Sequence, residues 1–337
     1  MRIGILTAGG DCPGINATIR GVCKTAINYY GMEVYGIHNG FRGLLDDDVV
    51  PLTEASMGGL LTLGGTVLGT SRVKPFRKNG TFSLSDSKPA ALLKTIQEHG
   101  LDCLVCIGGN GTQTTASMLV EAGVNVVTIP KTIDNDVWGT DTSFGFDSAV
   151  SIATEAIDRL HSTASSHQRV MVIEVMGHKA GWIALHSGMA GGGDIILIPE
   201  LPFNIHNIGD VIIGRLKKGK PYSIVVVAEG ISTMHGKKAA QYIAEEIEYE
   251  TGFETRETVL GYIQRGGSPT AFDRTLATRM GGHATELIAK KQFGRMVALR
   301  GSEIVSVPLA EVAGKLKLVT PDNDLIVQGK RMGVCFG

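Results

Sequence analysis

Apolar runs of strand length recur along this chain, and each gives way to turn residues and then to a helical pattern. The runs fall at residues 2–7, 33–37, 103–107, 125–129, 170–175, 194–198 and 223–228. The helical patterns fall at 16–29, 89–99, 112–121, 147–164, 208–217, 238–251 and 269–289. A run such as Cys103-Leu-Val-Cys-Ile107 does not alternate, so both of its faces must be buried, and an intervening helix supplies the crossover that parallel pairing needs. The pattern predicts an α/β fold class with mainly parallel sheets covered by helices on both faces. At 337 residues the chain exceeds the size at which one core stops growing, which points to two lobes. No Pro-rich or Ser-rich linker divides it, so the first boundary must follow topology and is expected near residues 139–148. Each half carries a strand, a glycine-containing turn (residues 9–14 and 177–181) and a helix, a pattern too short to establish a repeat.

The formal net charge is −1, so no general basic field draws nucleic acid or an anionic membrane, and any anion must be bound locally. The first residues enter a strand pattern directly, and no apolar run approaches the roughly 18 residues of a membrane span. Neither a secretory signal nor a membrane anchor is expected, and the cytoplasm is the expected compartment. The five cysteines, Cys12, Cys23, Cys103, Cys106 and Cys335, form an odd, scattered set, which argues for reduced thiols. Cys103 and Cys106 have C-x-x-C spacing, but strand residues three apart face opposite sides and cannot share a metal, so both read as small core residues. The 45 glycines exceed the usual share of roughly 7% and cluster, as in Gly9-Gly10 and Gly108-Gly-Asn-Gly111, where a backbone can approach a ligand closely.

The turn Thr7-Ala-Gly-Gly-Asp-Cys-Pro-Gly14 leaves the opening strand and enters a helix. Backbone N–H groups and a helix N-terminus can hold phosphate there, although a tight turn alone would use the same residues. A second strand runs into Gly108-Gly-Asn-Gly-Thr112 and another helix, so two phosphate-type turns are expected along the carboxyl edge of one sheet. A third strand ends in Pro130-Lys-Thr-Ile-Asp-Asn-Asp136, which gathers a cation, a hydroxyl and two carboxylates. Asp134 and Asp136 admit two readings. One is local turn capping; the other is phosphoryl transfer, in which a carboxylate takes the proton of a hydroxyl nucleophile and cations surround the transferred group. Lys131, Arg72 and Arg77 are the candidate cations.

At these residues the chain resembles the phosphofructokinase family, from its first strand to about Arg279. The resemblance rests on Gly9-Gly-Asp-Cys-Pro-Gly-Ile-Asn16, Gly65-Thr-Val-Leu-Gly-Thr-Ser-Arg72, Gly108-Gly-Asn-Gly-Thr112, Thr132-Ile-Asp-Asn-Asp136, Ser166-His-Gln-Arg169, Glu174-Val-Met-Gly177, Ala228-Glu229 and Gly261-Tyr-Ile-Gln-Arg-Gly-Gly-Ser-Pro269, in order and at matching intervals. It implies two Rossmann-like three-layer lobes with the active site in the cleft between them. The phosphoryl-donor lobe would take residues 1–140 plus about 263–310, and the fructose 6-phosphate lobe about 141–262 plus 311–337. It implies transfer of the γ-phosphoryl of ATP, with Mg2+, to the 1-hydroxyl of fructose 6-phosphate in glycolysis, by a homotetramer or homodimer.

Carried onto this sequence, the resemblance makes Asp134 the base that deprotonates the sugar 1-hydroxyl. Thr132 then contacts the transferred group and Arg72 stabilises its charge. Gly10, Arg72, Val73, Gly109, Asn110, Gly111 and Thr112 would line the donor site. The sugar phosphate would fall to Thr132, Asp134, Arg169, Met176, Gly177, His178, Glu229, Arg256, Tyr262 and Arg265, with Glu229 accepting from sugar hydroxyls. Arg169, Arg256 and Arg265 would clamp the phosphate through their planar forks, the first two reaching in from a neighbouring subunit.

Three positions depart from the family pattern. Asn110 stands where many members carry an Asp that helps hold magnesium, and a neutral amide binds that ion more weakly. His178 stands where Arg is common, and Tyr262 where His is common; these leave open a regulatory subunit or sugar-phosphate sensor that binds without turnover. The donor signals disagree, because Gly111 goes with ATP whereas Lys131 goes with pyrophosphate or mixed-donor members. A steric block excludes a ligand while an added cation only strengthens binding, so ATP is the expected donor and pyrophosphate the alternative. Arg20, Lys24 and Lys218 or Lys220 suit the family's effector site, but His161 replaces an Arg of that pattern, and weak or absent effector control is expected. Gly214-Arg-Leu-Lys-Lys-Gly-Lys220 imitates a P-loop, yet Pro221 replaces its Ser or Thr and the segment ends a helix instead of opening one. The nine histidines show no H-E-x-x-H pattern, which leaves zinc without support. Gly108-Gly-Asn-Gly111 also resembles the glycine motif of NAD kinases and lipid kinases, against which the three arginines argue.

Overall fold

A computed structural model describes residues 1–78, 81–82, 87–234 and 236–337, except for the side chains at 77, 78, 81, 82 and 87; the Arg77 side chain therefore lies outside the described residues. In chain order the elements are β1 (Arg2–Ala8), α1 (Ile15–Asn28), β2 (Glu33–Ile37), α2 (Phe41–Asp46), β3 (Val49–Leu52), the short pair β4 (Arg77–Lys78) and β5 (Thr81–Phe82), α3 (Ser87–Glu98), β6 (Cys103–Gly108), α4 (Asn110–Glu121) and β7 (Val126–Pro130). There follow α5 (Phe146–His167), β8 (Val170–Val175), α6 (Trp182–Ala190), β9 (Ile195–Leu197), α7 (Ile205–Lys217), β10 (Ser223–Ala228), α8 (Ala239–Thr251), β11 (Thr255–Val259), α9 (Ala271–Ala289), β12 (Arg295–Arg300), β13 (Glu303–Pro308), α10 (Leu309–Val312) and α11 (Asp324–Met332). Segment 214–220 lies at the end of α7, as the missing P-loop serine implies.

Two compact units share the chain. The first comprises Met1–Thr132, Val137–Asp147 and Arg265–Leu316; the second comprises Ile133–Asp136, Ser148–Gln264 and Lys317–Gly337. The chain thus leaves the first unit at residue 133, returns at 137 and leaves again at 148, whereas the topological reading of the sequence expects the first crossing near 139–148.

The first unit is built on a sheet of order β13-β12-β7-β6-β1-β2-β3. Pairing is parallel from β12 through β2, and the edge strands β3 and β13 run antiparallel. β6 and β7 are buried along their whole length, which is why their sequences carry no alternation. The strand order reverses at β1, with β2 on one side and β6 on the other, so the loops after β1 and β6 leave from a switch point where ligands bind in open parallel sheets. Helices α1 and α9 pack through glycines. A Cβ at Gly21 would lie 2.7 Å from the Thr278 carbonyl oxygen, and one at Gly281 would lie 2.6 Å from that of Thr18.

The second unit holds a four-stranded parallel sheet of order β11-β8-β10-β9, with β8 and β10 fully buried. Among the described residues no helix is long and apolar enough to cross a membrane. Strands β11 to β13 and helix α6 do not stand out in the sequence, for physical reasons. β11 is an edge strand with Arg256, Glu257 and Val259 exposed. β12 and β13 form an antiparallel pair that turns at Gly301 (φ 57°), so no helical pattern follows β12. α6 buries Ile183, Ala184, Leu185, Ser187 and Gly188, which removes the polar stripe that marks a surface helix.

Cys12, Cys23, Cys103 and Cys106 are buried free thiols, and Cys335 is half-buried. Burial pushes Cys12, Cys23 and Cys103 up to about 12, and Cys106 higher still. Because the thiolate is the nucleophile, iodoacetamide at pH 8 should label Cys335 alone in the folded protein. Mass-spectrometric labelling of Cys103 or Cys106 without unfolding would contradict this placement.

Candidate active site

In the first unit, the turn after β1 is held from several sides. The Gly9 N–H donates to the Ser71 carbonyl (2.9 Å), and the Thr70 hydroxyl donates to the Gly9 carbonyl (2.7 Å). Lys131, only 2% exposed, donates from Nζ to the carbonyl of Gly10. The Arg265 Nη1 donates to the Asp11 carbonyl (3.1 Å) and lies 2.7 Å from where a Gly10 Cβ would stand. Arg265 is therefore placed against the glycine turn of the first unit.

The same turn organises the segment that carries Arg72 and Val73. The Asn16 amide donates to the carbonyls of Leu63 (3.1 Å) and Gly64 (3.2 Å), while its oxygen accepts from the Val67 N–H (2.9 Å). The Thr7 hydroxyl donates to Gly69 (2.6 Å), and the Ser71 hydroxyl donates to Asn39 (2.6 Å). Arg72 emerges exposed from this anchored segment and Val73 is half-buried. Asn16 belongs to the first glycine string, and its structural task explains its presence there.

The β6 strand runs into Gly109, which caps α4. The Gln113 amide donates to the Gly108 carbonyl (2.9 Å), and Thr112, 5% exposed, packs against Gly108. Gly111 lies in the first turn of α4 with nothing within 4 Å of a Cβ built on it. Glycine costs a helix about 0.5–1 kcal/mol relative to alanine, and no neighbouring atom of the protein requires it here. The space in front of Gly111 is open. Thr132, 8% exposed, follows β7, and its carbonyl accepts from the Ser143 hydroxyl (2.9 Å).

In the second unit, residues 133–136 form a tight turn with Asn135 in the left-handed region (φ 51°). Lys317 anchors it, donating from Nζ to Asn135 Oδ1 (2.9 Å) and from its backbone N–H to the Asp136 carbonyl (2.9 Å). Asp134 is half-buried within this turn. At the carboxyl end of β8, the Met176 N–H donates to Gln264 Oε1 (2.8 Å). The N–H groups of Gly177 (3.2 Å) and His178 (2.8 Å) both donate to Glu229 Oε1 at the end of neighbouring β10. Gly177 (φ 148°) has to be glycine, because a Cβ would lie 2.4 Å from the Ala180 carbonyl oxygen. Gln264, fully buried, is a positioning residue that no local sequence signal marks, although it lies within the segment Gly261–Pro269.

Arg169 and Arg256 come together on one carboxylate. Arg169 Nε pairs with Glu254 Oε2 (2.6 Å), and Arg256 Nη2 pairs with Glu254 Oε1. Tyr262 and His178 are exposed on the same unit. His161 is held inside its unit by the Gly191 carbonyl (2.7 Å) and the Tyr222 hydroxyl (3.2 Å), and Lys24 pairs with Glu54 (3.3 Å).

The sequence matches the family described as phosphofructokinase over residues 2–288. The chain belongs to the phosphofructokinase family. It is 76% identical, over the full length of both chains, to a protein of Bacteroides thetaiotaomicron named ATP-dependent 6-phosphofructokinase 3. It is also 46% identical, over the full length of both, to a pyrophosphate–fructose 6-phosphate 1-phosphotransferase of Streptomyces coelicolor. Its fold is similar to that of Pichia pastoris phosphofructokinase in the T-state, with a TM-score of 0.85 and 33% identity over 92% of this chain; it spans 35% of that longer chain. The strings that carried the resemblance thus mark a member of this family, with α/β architecture and mainly parallel sheets.

Replacing Glu229 by Leu removes the acceptor of two loop N–H groups. Amide hydrogen exchange at Gly177 and His178 should then accelerate by about tenfold, the scale of one net hydrogen bond. Unchanged exchange would show that other contacts hold the loop.

Proposed function

We propose that this chain is an ATP-dependent 6-phosphofructokinase that transfers the γ-phosphoryl of ATP to the 1-hydroxyl of fructose 6-phosphate in glycolysis. Its family membership carries the reaction, and the open space in front of Gly111 carries the choice of donor. The B. thetaiotaomicron relative named for ATP supports the same choice.

In this reading Asp134 takes the proton of the 1-hydroxyl as the oxygen's electron pair forms the new bond to phosphorus. The bond from phosphorus to the bridging oxygen breaks, and ADP leaves with that electron pair. Arg72 and Thr132 hold the transferring group, while Gly10, Val73, Gly109, Asn110, Gly111 and Thr112 form the donor seat. The sugar meets Met176, Gly177 and His178. The Glu229 oxygen Oε1 already fixes the loop, which leaves Oε2 to accept from sugar hydroxyls. Arg169, Arg256, Tyr262 and Arg265 hold the 6-phosphate, with Arg169 and Arg256 acting across a subunit interface of a homotetramer or homodimer.

Magnesium is the implied metal. Such an ion would be held through the phosphates of the nucleotide and one or two protein oxygens, Asn110 being one candidate. When bound it would neutralise phosphate charge.

A second reading, with pyrophosphate as donor, is favoured by Lys131, whose buried ammonium is bonded to the Gly10 carbonyl in the donor turn. The test of the main reading is a coupled assay of fructose 1,6-bisphosphate formation with ATP and magnesium, run on the protein and on Asp134→Asn. The variant should lose about 10²–10⁴ in kcat, the usual contribution of a general base, with KM for the sugar phosphate little changed. A variant that keeps most of its kcat would remove Asp134 from the chemistry. Sugar-phosphate binding by the unmodified protein without turnover would favour a sensor.

A further inference from the structure

The arginine pair of the second unit is already occupied by a group from the chain itself. β11 and β8 pair in parallel with Thr255 opposite Val170 and Arg256 opposite Met171. The Val170 N–H donates to the Glu254 carbonyl (3.1 Å), so the residues just before the two strands, Glu254 and Arg169, are neighbours by register. Glu254 answers both arginines, with Oε2 on Arg169 Nε at 2.6 Å and Oε1 on Arg256 Nη2. Arg256 also donates from Nη1 to the Thr255 carbonyl (2.9 Å), which fixes the guanidinium plane beside the strand. The Arg169 guanidinium beside it, above all, holds the Glu254 carboxyl below the usual carboxylate range, so it is ionised at neutral pH.

Two guanidinium forks around one carboxylate form a seat of the same chemistry as a phosphate site, since both anions accept paired N–H bonds from Arg. The two anions differ in charge, because a phosphate monoester approaches two negative charges at neutral pH and brings three acceptor oxygens. A dianion can therefore displace the carboxylate where a monoanion competes poorly. Glu254 is 42% exposed and the arginines are 28% and 52% exposed, so the exchange needs no unfolding of the strands.

We propose that Glu254 is a built-in competitor for the substrate phosphate, a carboxylate that occupies Arg169 and Arg256 until the phosphate of fructose 6-phosphate displaces it. This rests on the reading above that these arginines hold that phosphate. Glu254 is then a specificity-setting residue. It raises the concentration at which sugar phosphate saturates the enzyme and keeps weaker anions off the pair.

The test compares Glu254→Gln and Glu254→Ala with the unmodified full-length protein in the ATP-coupled assay. Both variants should lower KM for fructose 6-phosphate about three- to tenfold, the scale of removing partly exposed ion pairs. The rise in kcat/KM should be carried by KM. Inorganic phosphate, added as a competitive inhibitor, should inhibit both variants at correspondingly lower concentration. A KM that is unchanged or raised in both variants overturns the proposal and makes Glu254 a strut that orients the arginines. Arg256→Ala separates the two levels of the argument. It should raise KM by about tenfold or more, as expected for loss of a charged hydrogen-bond partner. If its KM is unaffected, the arginines do not hold the substrate phosphate and the assignment beneath the proposal fails.

Discussion

Parallel pairing makes β1, β6 and β7 end on one edge of the first unit's sheet, and a single buried cation ties that edge together. Lys131 leaves the end of β7, its backbone N–H donates to the Gly108 carbonyl (3.0 Å) at the end of β6, and its ammonium reaches the Gly10 carbonyl after β1. An ammonium that is 2% exposed must have its donors satisfied, because an unpaired buried charge is costly. The Gly10 carbonyl is one acceptor that meets that need. The turns are thereby fixed relative to one another before any ligand arrives, and preorganisation of this kind is where phosphoryl-transfer enzymes gain most of their rate.

Side chains fix the loops of both units. In the first, Thr7, Asn16, Thr70 and Ser71 pin the segment that ends at Arg72, beside the cations Lys131 and Arg265 on the glycine turn. In the second, besides Lys317 and Gln264, carboxylates accept from backbone N–H groups. Glu229 holds Gly177 and His178, Glu200 holds Gly181 (2.9 Å) and Val319 (3.0 Å), and buried Glu174 accepts from Ala240 (2.8 Å) at the start of α8. Charge-assisted bonds are the stronger kind. They also spread negative charge through the unit that would receive a sugar phosphate, and arginines are the natural counterweight.

Much of this was legible in the sequence, because strands buried on both faces and glycine turns leave local signatures. The unbroken runs of β6, β8 and β10 and the strings around Gly10, Gly109 and Asp134 located the fold and the candidate residues. What stayed hidden depends on pairing across long sequence distances. Glu254 gains its meaning from the register of β11 on β8, and Gln264 from its reach to Met176, 88 residues away. Lys317 pins Asn135 across 182 residues. Glu174 reads as part of a sugar-binding string, yet its carboxylate caps a helix. Edge strand β11 and uniformly buried α6 lack the periodicities on which sequence reading relies.

The account turns on Gly111, a helical glycine that the protein's own packing does not require, and its most direct test is a donor comparison between the unmodified protein and Gly111→Asp. Because nothing lies within 4 Å of a Cβ at this position, and an acidic residue in place of glycine favours the first turn of a helix, the variant should fold with thermal stability equal to or slightly above that of the unmodified protein. Its kcat/KM for ATP should fall about a hundredfold or more, since a like charge against a phosphate costs several kcal/mol, while the unmodified protein turns over ATP and not pyrophosphate. ATP use within about threefold of the unmodified protein would contradict the account, as that is below the cost of any such charge clash. Turnover of the unmodified protein with pyrophosphate alone would contradict it equally and make Lys131 the better guide to the donor.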